Sequence, residues 1–169
     1  MFKRNNLSNE LKTQAIGLGL CEQWTKAWGN PNKQELINKF LHGIDFCLKH
    51  DYPTNEFIKK NFEKEILHRN NIFVDEDVQK RNARQIVVLQ GKCTGTLLYD
   101  GMTSADVYVR HDSEVTIDCN RLSKVFISVY DRAKVNVIQR DGASVYVYLH
   151  GGECEVKADG DVMTRRSAE

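Results

Sequence analysis

A ten-residue repeat in the second half of the chain limits its fold more than any other feature of the sequence. Apolar pairs recur ten residues apart at Val115/Ile117, Val125/Ile127, Val135/Val137 and Val145/Val147. Earlier pairs keep this step at Val87/Leu89, Leu97/Tyr99 and Val107/Val109, and the interval from Val107 to Val115 is shortened to eight residues. A small residue comes before each later pair, at Ala105, Ser113, Ser123, Ala133 and Ala143. Such alternation predicts short β-strands with one buried face, separated by turns.

Two architectures fit this repeat. An antiparallel meander would join the strands by hairpins and form a β-sandwich or a barrel. A β-solenoid would coil the strands, so that equivalent residues of successive coils stack about 4.8 Å apart. We favour the solenoid because the same kind of small residue recurs before each strand, as screw symmetry requires at a narrow corner. A meander has two kinds of turn and should alternate between two patterns, so the antiparallel sandwich is kept as the alternative.

The first half of the chain has helical periodicity instead. Three helices are predicted: one capped by Ser8 that ends at Gly29-Asn30-Pro31, one that begins with the capping box Asn32/Glu35, and one capped by Thr54 that ends at Asn70-Asn71. Residues 72–74 fit a short strand, and residues 75–84 fit a charged connector. The fold class is therefore α+β, with a helical domain and connector over residues 1–85. Residues 86–169 are expected to form a parallel β-helix, or β-solenoid, of about four coils.

Aromatic residues gather on one outer wall of the predicted solenoid. Phe126 and Tyr146 are twenty residues apart and should stack, Tyr108 should join them across the shortened interval, and Tyr148 should lie beside Tyr146. The other wall is mostly polar. The aromatic wall has three possible roles: it is a partner-binding patch, it only stabilises the sheet, or the helical domain covers it.

The two ends of a solenoid expose unpaired backbone groups and must be covered. The helical half precedes the first coil and can cap it. At the other end, residues 160–169 either pair with the last coil or leave it to a second copy of the chain. Self-association is therefore a prediction of the sequence.

No set of residues predicts catalysis or a cofactor. Cys47, His50, His42 and Asp45 have helical spacing, but a zinc site needs more convergent ligands, so we expect no metal. Carboxylates suited to polysaccharide cleavage occur in His111-Asp112, Asp131-Arg132 and Arg140-Asp141. They stand at repeated turns, where Asp is favoured for conformational reasons, and a short solenoid offers little concavity. Cys119 and Cys154 should face the core, and Cys93 is the thiol that could be exposed.

Charge and cysteine content limit the partners and the compartment. The formal net charge is +1, which favours neither nucleic acid nor an anionic membrane surface. If nucleic acid is bound, the residues would be Lys60 and Lys64 on the third helix together with Arg81. No apolar run is long enough for a membrane span. Five scattered cysteines and a start without a secretory signal predict reduced thiols and a cytoplasmic location.

The repeat from Val107 to Val162 resembles the short β-solenoids of bacterial scaffold proteins, with bactofilins as the nearest functional parallel. The whole chain is also similar to uncharacterised short proteins of gut bacteria and their phages. The first resemblance implies assembly, and neither implies a functional residue. We therefore expect a non-catalytic structural or protein-interaction module that self-associates or docks a protein partner through its solenoid. The alternative is a small phage or mobile-element binder that acts on a host protein or nucleic acid through the helical domain.

Overall fold

A computed structural model describes residues 2–167, and the side chains of residues 6–167. The chain divides into two compact units, Met1–Leu67 and His68–Glu169, called here the helical unit and the solenoid unit. The helices are α1 (Phe2–Gly17), α2 (Glu22–Lys26), α3 (Lys33–His42), α4 (Ile44–His50), α5 (Asn55–Asn61) and α6 (Lys64–Arg69). The strands are β1 (Ile72–Val74), β2 (Asp77–Arg81), β3 (Gln85–Gln90), β4 (Thr94–Asp100), β5 (Ser104–Val109), β6 (Glu114–Asn120), β7 (Lys124–Val129), β8 (Lys134–Gln139), β9 (Ser144–Leu149), β10 (Glu153–Ala158) and β11 (Val162–Arg166).

The strands form two parallel sheets, which confirms the solenoid and excludes the antiparallel sandwich. Sheet A has the order β1-β3-β5-β7-β9-β11, and sheet B has the order β10-β8-β6-β4-β2. Consecutive strands therefore alternate between the sheets, and each sheet stacks every second strand. In the middle of the solenoid one coil is twenty residues long, since Val125 pairs with Val145 and Val115 pairs with Val135.

The solenoid has about five coils, and this corrects the prediction of about four. The extra coil comes from residues 72–81, and it overlaps the segment 75–84 that was predicted to be a charged connector. Its two strands are β1 and β2, and β2 pairs with β4. The offset from Val78 to Gly95 is shorter than in the middle coils, and the outward residues of β2 are exposed and mostly charged or polar. Because of these two properties, the ten-residue repeat could not be recognised in this part of the sequence.

The core consists of inward side chains from both sheets and of small residues at the corners. The inward positions are filled mainly by Val, Ile and Leu, with almost no solvent exposure. Buried corner residues recur every ten positions at Cys93, Thr103, Ser113, Ser123, Ala133 and Ala143. The corner residue before β5 is therefore Thr103, and not Ala105 as predicted. Val107 aligns with Ile127, so the step is uniform and no interval is shortened.

The corners turn through residues with a left-handed backbone. His111, Arg121, Asp131 and Asp141 all have φ between 54° and 59°, and glycines take the corresponding positions at Gly91 and Gly101. Asp is among the residues that tolerate this conformation, because its short polar side chain can hydrogen-bond locally. The repeat thus places polar and charged residues at the corners for conformational reasons.

Each of the three predicted helices is interrupted in the helical unit. The capping box at Asn32 and the N-cap at Thr54 are confirmed: Asn32 Oδ1 accepts from Glu35 N–H at 2.9 Å, and Thr54 Oγ1 accepts from Phe57 N–H at 3.2 Å. Ser8 is not a cap, because α1 begins before it and its buried hydroxyl accepts a hydrogen bond from Trp28 Nε1 at 3.0 Å. The second helix breaks at Gly43. The third breaks at Phe62, which has an extended backbone.

Candidate interaction surfaces

The outer face of sheet A carries the predicted aromatic stack. Phe126 and Tyr146 are register partners on β7 and β9. Their ring centroids are 4.9 Å apart and the planes are inclined by only 13°. Lys124 Nζ lies 5.4 Å from the Phe126 centroid, so a cation covers the stack on one side. The prediction that these two rings stack is confirmed.

Tyr108 does not join this stack, which corrects its predicted position. It pairs with Ser128, and Ser128 pairs with Tyr148. Tyr108 and Tyr148 thus share the next column of the same face, two coils apart, with a serine between them. The error arose from the supposed short interval, because a uniform step of twenty leaves Tyr108 two residues out of register with Phe126. Tyr148 lies beside Tyr146 as predicted, and both side chains are half-buried.

Further apolar and aromatic side chains border this face. Met102 and Leu122 lie on successive coils of the corner that leads into sheet A, and they are 86% and 68% exposed. At the opposite corner, Tyr130 and His150 stack with centroids 4.5 Å apart. Sequence reasoning missed both pairs, although each has the twenty-residue spacing that identified Phe126 and Tyr146.

The outer face of sheet B and its corner carry ion pairs between coils. The Arg132 guanidinium donates two hydrogen bonds to the Asp112 carboxylate, at 2.7 and 3.0 Å. This bidentate pairing lowers the pKa of the Asp112 carboxyl. Lys134 Nζ lies 3.6 Å from Glu114, again twenty residues earlier. The predicted contrast between an aromatic wall and a polar wall is therefore confirmed.

The corner residues considered for polysaccharide cleavage form hydrogen bonds with groups of the preceding coil. His111 Nδ1 accepts from Gly91 N–H at 2.9 Å, and Asp131 Oδ2 accepts from His111 N–H at 3.0 Å. Each side chain thus bonds the backbone of the equivalent residue one coil earlier. Arg140 Nη2 donates a hydrogen bond to Asp118 Oδ2 at 2.8 Å. These contacts tie successive coils together.

The C-terminal end of the solenoid is open. Residues 162–166 pair with the last coil as β11, which was one of the two predicted alternatives for the tail. β11 and β10 are the outermost strands of sheets A and B, and neither pairs with a further strand among residues 2–167. Val156 occupies the same inward position as Val137 one coil earlier, yet Val156 is 39% exposed and Val137 is 1% exposed. The core therefore meets solvent at this end.

All five cysteines are free thiols; three are buried, Cys154 is half-buried and Cys21 is exposed. Cys93 is fully buried, which corrects the prediction that it could be exposed, because it occupies an inward corner and its thiol contacts the carbonyls of Phe73 and Gln90. Cys119 is also fully buried, and burial raises the pKa of its thiol to about 12. Within residues 6–167, no three His, Cys, Asp or Glu side chains converge as metal ligands.

The basic residues proposed for nucleic acid do not form one helical stripe. The break at Phe62 places Lys60 on α5 and Lys64 on α6. Arg81 lies on β2 in the solenoid unit, where it is bonded to Asp100 and the guanidinium lowers the pKa of that carboxyl. Nucleic-acid binding through these residues stays a prediction.

A groove in the helical unit was not predicted. It has a volume of about 470 Å³ and is lined in part by Trp24, Trp28, Lys39 and His42. Lys39 Nζ lies 5.4 Å from a ring centroid of Trp28. The helical spacing of the two tryptophans could have indicated this surface.

Comparisons with protein families, curated proteins and solved structures find no match for the chain. No helix of the described part is long and apolar enough to cross a membrane.

Proposed function

We propose that the protein is a non-catalytic structural or interaction module that self-associates or docks a protein partner through its β-solenoid. The observation that carries this proposal is the open last coil. The free edges of β10 and β11 offer rows of backbone N–H and C=O groups, and such edges recruit another strand unless they are protected. The half-exposed valine at Val156 adds apolar surface at the same end.

The contacts of the polar corner residues support the non-catalytic part of the proposal. His111 and Asp131 are engaged with backbone groups, and Asp112 is engaged with Arg132. These groups hold coils together, and a general acid or base would have to leave such contacts to act. The parallel with bactofilin scaffolds, an origin in gut bacteria or their phages, and a cytoplasmic location are also parts of the proposal.

Light scattering of the full chain over a hundredfold concentration range tests the proposal. We expect a mass above the 19.4 kDa of one chain. A mass fixed at a multiple of this value indicates a closed assembly, and a mass that climbs with concentration indicates open stacking. A mass of 19.4 kDa at every concentration would overturn self-association.

A double substitution then locates the interface. Phe126→Ser with Tyr146→Ser removes the stacked pair from the outer face of sheet A. Loss of assembly with retained β-structure by circular dichroism would place the interface on this face. Unchanged assembly would place the interface elsewhere, with the open coil end as the next surface to test.

A further inference from the structure

We infer that the open coil end binds the same end of a second copy, with β10 of one protomer antiparallel to β11 of its partner. This inference rests on the proposed function and specifies its partner. The two strands belong to different sheets and run in opposite directions, because the chain turns back at each corner. A twofold axis parallel to the strands therefore places β10 beside the partner's β11, and β11 beside the partner's β10, at the same time. Such a contact is isologous and closes the assembly as a dimer.

The inward and outward alternation of the two strands limits the register. Cys154 and Val156 continue the inward columns of sheet B, and Val162 and Thr164 continue those of sheet A. Opposed residues of antiparallel strands share a face, so inward residues must face inward residues. One register that satisfies this places Val156 opposite the partner's Val162, and Cys154 opposite the partner's Thr164. This register covers the valine that the isolated solenoid leaves 39% exposed.

The same register brings opposite charges together on the outer surface. Glu153 lies opposite the partner's Arg165. At the other end of the pairing, Lys157 lies opposite the partner's Asp161, which directly precedes β11. The twofold axis repeats both pairs, so one interface contains four opposite-charge pairs. Opposite charges placed directly across a strand pair stabilise it, and like charges destabilise it.

Other ways of joining two solenoids are less complementary. Antiparallel pairing of β10 with the partner's β10 over all six residues places the outward Glu155 opposite the partner's Val156, which is an inward residue. Head-to-tail stacking would require β1 to accept β11 of the next copy. All three residues of β1 are buried, whereas every residue of β11 after Val162 is exposed. A closed dimer through the C-terminal end therefore agrees better with the structure than an open filament does.

A pair of charge reversals tests this arrangement on the full chain. Glu153→Lys and Arg165→Glu should each weaken the dimer by at least about tenfold in Kd, because each replaces two attractive pairs by two repulsive ones. A 1:1 mixture of the two variants should restore the dimer, since Lys at 153 then faces Glu at 165 and the unchanged Arg165 faces the unchanged Glu153. The readout is the light-scattering mass, with a dimer at twice 19.4 kDa.

A second pair of variants distinguishes a weaker interface from a folding defect. Glu153 lies beside Lys134 in sheet B, so Glu153→Lys places two lysines side by side within one chain. Lys157 lies beside Ile138, and Lys157→Glu creates no such repulsion. Lys157→Glu and Asp161→Lys should show the same loss alone and the same recovery when mixed. Thermal unfolding by circular dichroism confirms that each variant is folded.

The outcomes separate this inference from the proposed function. Lys92→Glu is the matched control, because it reverses an exposed charge in the turn between β3 and β4, away from the coil end and from the aromatic stack. We expect it to leave the dimer intact. If the wild-type chain assembles but folded single reversals at the coil end do not weaken it, or their mixtures do not recover, the inference is overturned and the proposed function stands. A wild-type mass of one chain at all concentrations overturns the inference together with the self-association part of the proposed function, and leaves the docking of a different protein.

Discussion

Val137→Ala and Val156→Ala form a matched pair that measures how open the last coil is. The two valines are register partners on β8 and β10 and both belong to the inward column of sheet B. They differ in exposure, which is 1% at Val137 and 39% at Val156. The same chemical change is thus made in a sealed layer of the core and in its open neighbour.

The expected loss of unfolding free energy at each position follows from how deeply the valine is buried. Val→Ala removes two methyl groups at about 0.8 kcal/mol each, and a cavity in a sealed core adds to this, so Val137→Ala should cost about 2–3 kcal/mol. At Val156 a smaller part of the side chain leaves water on folding, and the space left behind opens to solvent. Val156→Ala should therefore cost about 1 kcal/mol or less in the isolated chain.

Urea unfolding followed by far-ultraviolet circular dichroism measures both values, and it is done at the lowest usable protein concentration. The dependence of the unfolding free energy on urea should be the same in both variants, so that the midpoints can be compared. If the two substitutions lower the free energy of unfolding equally, the description of the last coil as open is refuted. If a second copy covers Val156, its loss should grow as the protein concentration is raised.

Two further predictions concern charge and thiol chemistry. Because Arg132 lowers the pKa of Asp112 in the folded chain, their pairing stabilises the fold above the unfolded aspartate pKa of about 3.9, and this is lost as the pH falls through the folded value. Asp112→Asn should therefore show a smaller drop in urea midpoint from pH 7 to pH 3 than the wild type, and an equal drop would contradict this role. The exposed thiol of Cys21 should react with a thiol reagent at pH 8 well before the buried Cys119, whose raised pKa keeps it protonated. Mass spectrometry of the labelled peptides checks the order, and rapid labelling of Cys119 in the folded chain would show that the core opens.

The sequence predicted the middle of the solenoid well because its signals are local. Alternation within a strand assigns inward and outward residues, and the ten-residue step assigns the sheet, so the partnership of Phe126 with Tyr146 followed directly. The same step predicts the buried corners. Tyr108 was misplaced when the interval at Val107 was counted from the wrong member of a pair, an error that the parallel registers correct.

The ends of the solenoid and the helix breaks were harder to predict. The first coil has shorter offsets than the middle coils and charged outer residues, so β2 has the composition of a connector although Val78 is buried between its exposed neighbours. Ser8 has the residue type of a helix cap, yet it lies inside α1, where the buried Trp28 indole needs an acceptor. In both cases a partner distant in sequence decided the outcome.

The sequence by itself determined the period, the two walls and the class of fold, because strand alternation and turn preference act over a few residues. Only the tertiary structure decided which coil is the last one among residues 2–167 and that the inward residues of this coil are exposed to solvent. Val156 has the same local pattern as Val137, and its exposure depends on whether another strand lies beyond β10. Strand pairing joins residues far apart in the chain, so the free edge and the charges along it emerge only when the coils are stacked.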